Sequence, residues 1–190
     1  MIYPFVRFLA LLLMRVKYRM RVTGAANIPQ NGAVILCSNH LSAYDPLSIA
    51  VSIKRPIHFM GKAELFKNPL IASFLKSVNA FAVDRAGADI NSYKNALRLL
   101  KDGKVLGLFI QGHRMKEEDV SAAKSGGALF AYKSGAAVVP VRIKTAYKTF
   151  SAVTVIFGEP LYFKSDVKKI KHEVLDAATE TIVNAINRLA

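Results

Sequence analysis

The stretch Ala33-Val34-Ile35-Leu36-Cys37-Ser38-Asn39-His40-Leu41-Ser42-Ala43-Tyr44-Asp45-Pro46 decides how the chain folds. Ala33–Cys37 is a continuous apolar run of strand length, the pattern of a buried strand. Pro46–Ile53 reads as a short helix, with Asp45 at its N-cap and Pro46 at its first position. His40 is on the turn between them, and Asp45 is the only acidic residue from Met1 to Lys62.

The same alternation continues outward in both directions. Strands are expected at Tyr18–Thr23, Ile57–Met60, Ala80–Val83, Val105–Ile110, Ala137–Ile143 and Val153–Phe157. Helices are expected at Pro69–Val78, Ser92–Lys101, Ser125–Lys133 and Val167–Leu189. Tyr93, Ala96, Leu97 and Leu100 form a helical stripe that Gly103 stops. Strands separated by single helices need crossover connections. The expected fold is therefore α/β, a single domain with a mostly parallel central sheet flanked by helices. Reactive groups in such sheets gather at the strand ends.

Of 190 residues 52% are hydrophobic, enough to bury a core, which excludes a disordered chain. Lys and Arg number 27 against 13 Asp and Glu, a net charge of +14. A mean hydropathy of +0.25 beside that charge suits an anionic membrane surface. Tyr and Phe fall inside apolar runs, not among the basic residues, so no nucleic-acid partner is expected. A lone Cys37 excludes an internal disulfide and a zinc cluster of several cysteines, and the histidines and acids show no metal-ligand spacing.

Ile2–Val16 is apolar apart from Arg7, and Arg15, Lys17, Arg19 and Arg21 follow it. A spanning helix needs roughly 20 apolar residues, and this run is shorter and interrupted. Its charges lie on the wrong side for a signal peptide. The expectation is an amphipathic helix in the membrane interface, apolar side in lipid and basic residues on headgroups. A core helix with a basic tail is the plainer alternative.

A histidine can remove a proton from an alcohol near neutral pH. A carboxylate bonded to its other ring nitrogen fixes the tautomer and stabilises the imidazolium. The spacer between His40 and Asp45 lets a turn bring the two together. The same string also fits a structural histidine beside a good helix start.

His-x4-Asp preceded by Asn39 and a buried strand resembles the glycerophospholipid acyltransferase family, and within it the bacterial 1-acyl-sn-glycerol-3-phosphate acyltransferases. Further blocks match in order. Gly61-Lys62-Ala63-Glu64-Leu65-Phe66 is similar to the family's Gly-Lys-x-Glu-Leu block, and Val83-Asp84-Arg85 to its second block. Phe109-Ile110-Gln111-Gly112-His113-Arg114 stands where the family usually has Phe-Pro-Glu-Gly-Thr-Arg, and Val138-Val139-Pro140-Val141 resembles its last block.

The resemblance implies an enzyme moving a fatty acyl group from a thioester donor to the sn-2 hydroxyl of 1-acyl-glycerol-3-phosphate. It makes His40 the general base and Asp45 its partner, with no acyl-enzyme. It implies acceptor binding by Asn39, Lys62, Arg85, Gln111, Gly112 and Arg114, with the cations suited to phosphate. No cofactor is implied beyond the co-substrate, acyl-coenzyme A or acyl carrier protein. Expected partners are the lysophospholipid acceptor and an anionic membrane at the cytoplasmic face. The expected division is an interface helix over residues 1–17 and an acyltransferase domain over 18–190. Gln111, His113 and Ile110 depart from the usual Glu, Thr and Pro. Gln111 still accepts a hydrogen bond but brings no charge. Another lyso-lipid acceptor, such as a lyso-ornithine lipid, and an inactive member that only binds anionic lipid are the rival readings.

Overall fold

The structure, a computed structural model, describes residues 2–84, 89–114, 123–164 and 170–189. Its strands are β1 (Arg19–Thr23), β2 (Val34–Ser38), β3 (Ile57–Lys62), β4 (Ala80–Val83), β5 (Val105–Phe109), β6 (Ala137–Thr145) and β7 (Ala152–Phe157). The helices are α1 (Ile2–Lys17), α2 (Asp45–Ser52), α3 (Pro69–Ser77), α4 (Ile90–Lys101), α5 (Gly126–Ser134) and α6 (His172–Asn187). The strands form one sheet in the order β1-β7-β6-β2-β5-β3-β4.

Every neighbouring pair is parallel except β6 and β7. No helix stands between those two, and a short connection can only return the chain antiparallel. The apolar run at β2 is the centre of the sheet, paired with β5 on one side and β6 on the other, with all five residues buried. Alternate side chains serve opposite faces. Ile35 and Cys37 join Leu106 and Val138 against Ala96, Leu100, Ala131, Ile182 and Ile186 of α4, α5 and α6. Val34 and Leu36 join Val105, Val139 and Val141 against Ile49 and Ile53 at α2.

The first helix divides its faces sharply. Met14 and the adjoining Tyr18 are buried with Val51 and Val153. Phe5, Phe8, Leu9, Leu12, Leu13 and Val16 are exposed in a stripe of helical spacing. No helix among the described residues is long and apolar enough to cross a membrane.

Arg7 corrects one expectation. It does not reach out toward headgroups. Its guanidinium turns inward and donates to the carbonyls of Ala50, Val51 and Ile53 at 3.0–3.1 Å. The last carbonyls of α2 lack helical partners, and a cation there also meets the negative end of the helix dipole. Arg55 is likewise committed to backbone, donating to the carbonyls of Pro29, Gly32 and Gly103. Part of the basic front of the sequence is thus internal bracing.

Candidate active site

The strands β2, β5, β3 and β4 are parallel neighbours, so their carboxyl ends lie along one edge of the sheet. Four of the five resembling blocks fall at these ends, and the fifth, Val138–Val141, lies within β6. The His40 turn leaves β2, the Gln111–Arg114 loop leaves β5, Lys62 ends β3, and Asp84 follows β4. Ser38 and Phe109 are register partners, which sets the first two segments side by side.

His40 Nδ1 donates to Asp45 Oδ2 at 2.8 Å. The Asp45 carboxylate is fully buried, while the imidazole keeps 12% of its surface exposed. Oδ2 also accepts from the amides of Leu41 and Ser42 at 2.6 and 2.7 Å, and Oδ1 accepts from the Tyr147 hydroxyl at 2.6 Å. The two amides and the Tyr147 hydroxyl all donate to this carboxylate, so both of its oxygens are acceptors and the ring nitrogen facing it, Nδ1, carries the proton. That leaves the Nε2 lone pair as the basic position of the ring.

This geometry corrects the reading of Asp45 as an N-cap. The helix begins at Asp45 itself, after Tyr44 in αR geometry, with no side-chain cap bond. The carboxylate turns back over the preceding turn because two amides and an imidazole compete for it. Pro46 at the next position needs no amide partner.

Phe109 at the end of β5 stacks on the His40 ring, centroids 3.8 Å apart and planes within 15°. Phe59 stacks behind it at 5.9 Å. Phe109 and Tyr147 were not among the expected site residues. A phenylalanine in an apolar strand looks like core, and Tyr147 belongs to no block.

The other expected residues take separate places. Asn39 is buried, and its amide donates to the Ile143 carbonyl at 2.9 Å and accepts from the Ile143 amide at 2.8 Å. It extends the β2–β6 ladder where β2 ends and steadies the turn from within. Lys62 is exposed and pairs with Glu64 at 2.9 Å, which pulls the Glu64 carboxyl below its ordinary value. Gln111 is buried, and Arg114 is exposed. His113 Nδ1 donates to the Gln111 carbonyl at 3.0 Å. Gly112 has φ 73°, in the region that glycine favours, and closes a turn by donating to the Phe109 carbonyl. A side chain there would meet the Lys124 stem at 3.3 Å. Arg85 lies outside the described residues.

A cavity of about 310 Å³ opens at this edge, lined by Cys37, Met60, Leu108 and Phe130 together with Asp84, Gly112 and Lys124. Burial pushes the Cys37 thiol up to about 12, so it is a packing group and not a nucleophile. Among the described residues no cluster of His, Cys, Asp and Glu is arranged to hold a metal ion.

A parallel α/β sheet with an imidazole–carboxylate pair at its carboxyl edge defines a class of acid–base enzymes broader than one reaction. Comparison with known proteins narrows it: the chain belongs to the acyltransferase family, whose model matches residues 19–144. A 1-acyl-sn-glycerol-3-phosphate acyltransferase of Bacillus subtilis is 32% identical over 177 residues, covering 90% of this chain and 87% of the relative. One from Borreliella burgdorferi is 30% identical over 148 residues, covering 74% of this chain and 56% of the relative. The crystal structure of the 1-acyl-sn-glycerophosphate acyltransferase PlsC from Thermotoga maritima superposes with a TM-score of 0.70 at 23% identity. It covers 96% of this chain and 77% of that one. At that identity the likeness establishes the shared fold.

Proposed function

We propose that the protein transfers a fatty acyl group from a thioester donor to the free hydroxyl of 1-acyl-glycerol-3-phosphate, forming phosphatidate. The observation that carries this is the His40–Asp45 pair, bonded at 2.8 Å with the imidazole accessible, in a chain of this family. The names of the relatives supply the acceptor.

Neutral His40 takes the hydroxyl proton on Nε2, and Asp45 stabilises the imidazolium that forms. The acceptor oxygen attacks the thioester carbonyl, the carbon–sulfur bond breaks, and the imidazolium returns its proton to the departing thiolate. Acyl-coenzyme A and acyl carrier protein both satisfy this chemistry. The cations Lys62, Arg85 and Arg114 serve the acceptor phosphate, with Lys124 beside Gly112 as a further candidate. Asn39, with its amide held by Ile143, supports the turn instead of touching substrate.

The exposed stripe from Phe5 to Val16 lies in the membrane interface and brings the site to its lipid substrates. Arg15, Arg19 and Arg21, all exposed, meet anionic headgroups.

Purified protein assayed with labelled acyl donors against a panel of lyso-lipids tests the reading. Labelled phosphatidate as the dominant product is expected. Preferential labelling of a phosphate-free acceptor would contradict it, and no transfer with either donor class would leave a lipid-binding protein.

A further inference from the structure

We propose that Tyr147 is a positioning residue of the His40–Asp45 pair, its hydroxyl locking the carboxylate oxygen that faces away from the imidazole. This rests on His40 being the base, and the experiment below separates the two claims.

Asp45 Oδ2 is shared by the His40 ring and two turn amides, whereas Oδ1 receives the Tyr147 hydroxyl at 2.6 Å. A carboxylate held through both oxygens cannot turn about its Cβ–Cγ bond. Oδ2 therefore stays in line with Nδ1 while the ring gains and loses charge. The far oxygen, buried with the rest of the carboxylate, also gains the hydrogen-bond partner it would otherwise lack.

The tyrosine is itself firmly placed. Its backbone has φ 47°, a conformation that non-glycine residues take mainly where the surroundings impose it. Its amide donates to Thr145 Oγ1 at 2.9 Å, and its hydroxyl lies 3.0 Å from Ser48 Oγ. Its ring meets Tyr18 edge-on at 5.5 Å and Tyr44 at 5.7 Å, and Lys17 donates to the Tyr44 hydroxyl at 3.3 Å. Burial, with the Asp45 charge beside it, raises the phenol above its ordinary value, so the group remains a donor. The hydroxyl is taken up by Asp45 and Ser48, which is why its role is to position.

The test compares Tyr147→Phe with the parent and with His40→Gln. The first readout is the downfield proton resonance of the His40 Nδ1–H, identified by its loss in His40→Gln. The second is steady-state acyl transfer. The proposal expects that resonance to weaken or move in Tyr147→Phe. It also expects kcat to fall about tenfold, the scale of one hydrogen bond to a charged group, with both KM values unchanged. A resonance identical to the parent's overturns it, whatever the activity. If the parent transfers no acyl group the functional reading fails, and the resonance still decides the role of Tyr147. Should Tyr147→Phe not fold, Ser48→Ala replaces it, with a smaller change in the same direction expected and none contradicting.

Discussion

The His40 imidazole lies flat on the Phe109 ring, 3.8 Å between centroids. The bond to Asp45 fixes one edge of the imidazole, and the stack fixes its plane. Phe109→Leu keeps apolar volume and removes the flat surface. It should lower kcat by up to roughly tenfold and stability by about 0.5–1.5 kcal/mol, the worth of an aromatic pair. Unchanged turnover would show that Asp45 alone orients the ring.

Gly107 supports that stack from below. A methyl there would overlap Phe59 Cε1 and lie 3.0 Å from Ile57 Cγ2. Gly107→Ala should therefore destabilise the protein by about 1–3 kcal/mol, the range for overpacking a core. It should also lower activity, because Phe59 backs Phe109. Urea unfolding and steady-state rates measure both effects.

The two faces of α1 should separate under mutation. Phe8→Ser with Leu12→Gln, both on the exposed stripe, should weaken binding to anionic vesicles and leave stability nearly unchanged. Arg7→Ala should instead cost about 1.5–3 kcal/mol of stability, since it strips a charged donor from the Ala50 and Val51 carbonyls of α2 and from Ile53 just after it. Deleting the whole helix would confound the two, because Met14 is part of the core.

Asp89 gives a pH signature at the start of α4. Its carboxylate accepts from the Asp84 amide, which with the Ser92 hydroxyl and amide holds it at about 2, below the ordinary 3.8. A depressed carboxylate stabilises the fold fully above its unfolded value and loses that contribution as pH falls through the folded one. Stability should therefore decline between about pH 4 and pH 2, and Asp89→Asn should flatten that part of the curve.

Local periodicity carried most of the sheet. The runs at Ala33–Cys37 and Val105–Ile110 became the paired central strands β2 and β5, because a run buried on both faces has few other places to go. The His40–Asp45 pairing was legible because only four residues of turn separate the two. Tyr147 was not, since it reaches Asp45 across 102 residues through the order of the strands. Arg7 was misread for a related reason. Helical spacing shows which side of α1 is apolar, but not that the ends of α2 wait on the other.

The most direct measurement is the rate of labelled phosphatidate formation by His40→Ala beside the parent, from the same thioester donor and 1-acyl-glycerol-3-phosphate. Loss of the base should lower kcat by about a hundredfold to ten-thousandfold while the unfolding midpoint is preserved. A folded His40→Ala protein that turns over at near-parental rate would contradict the account.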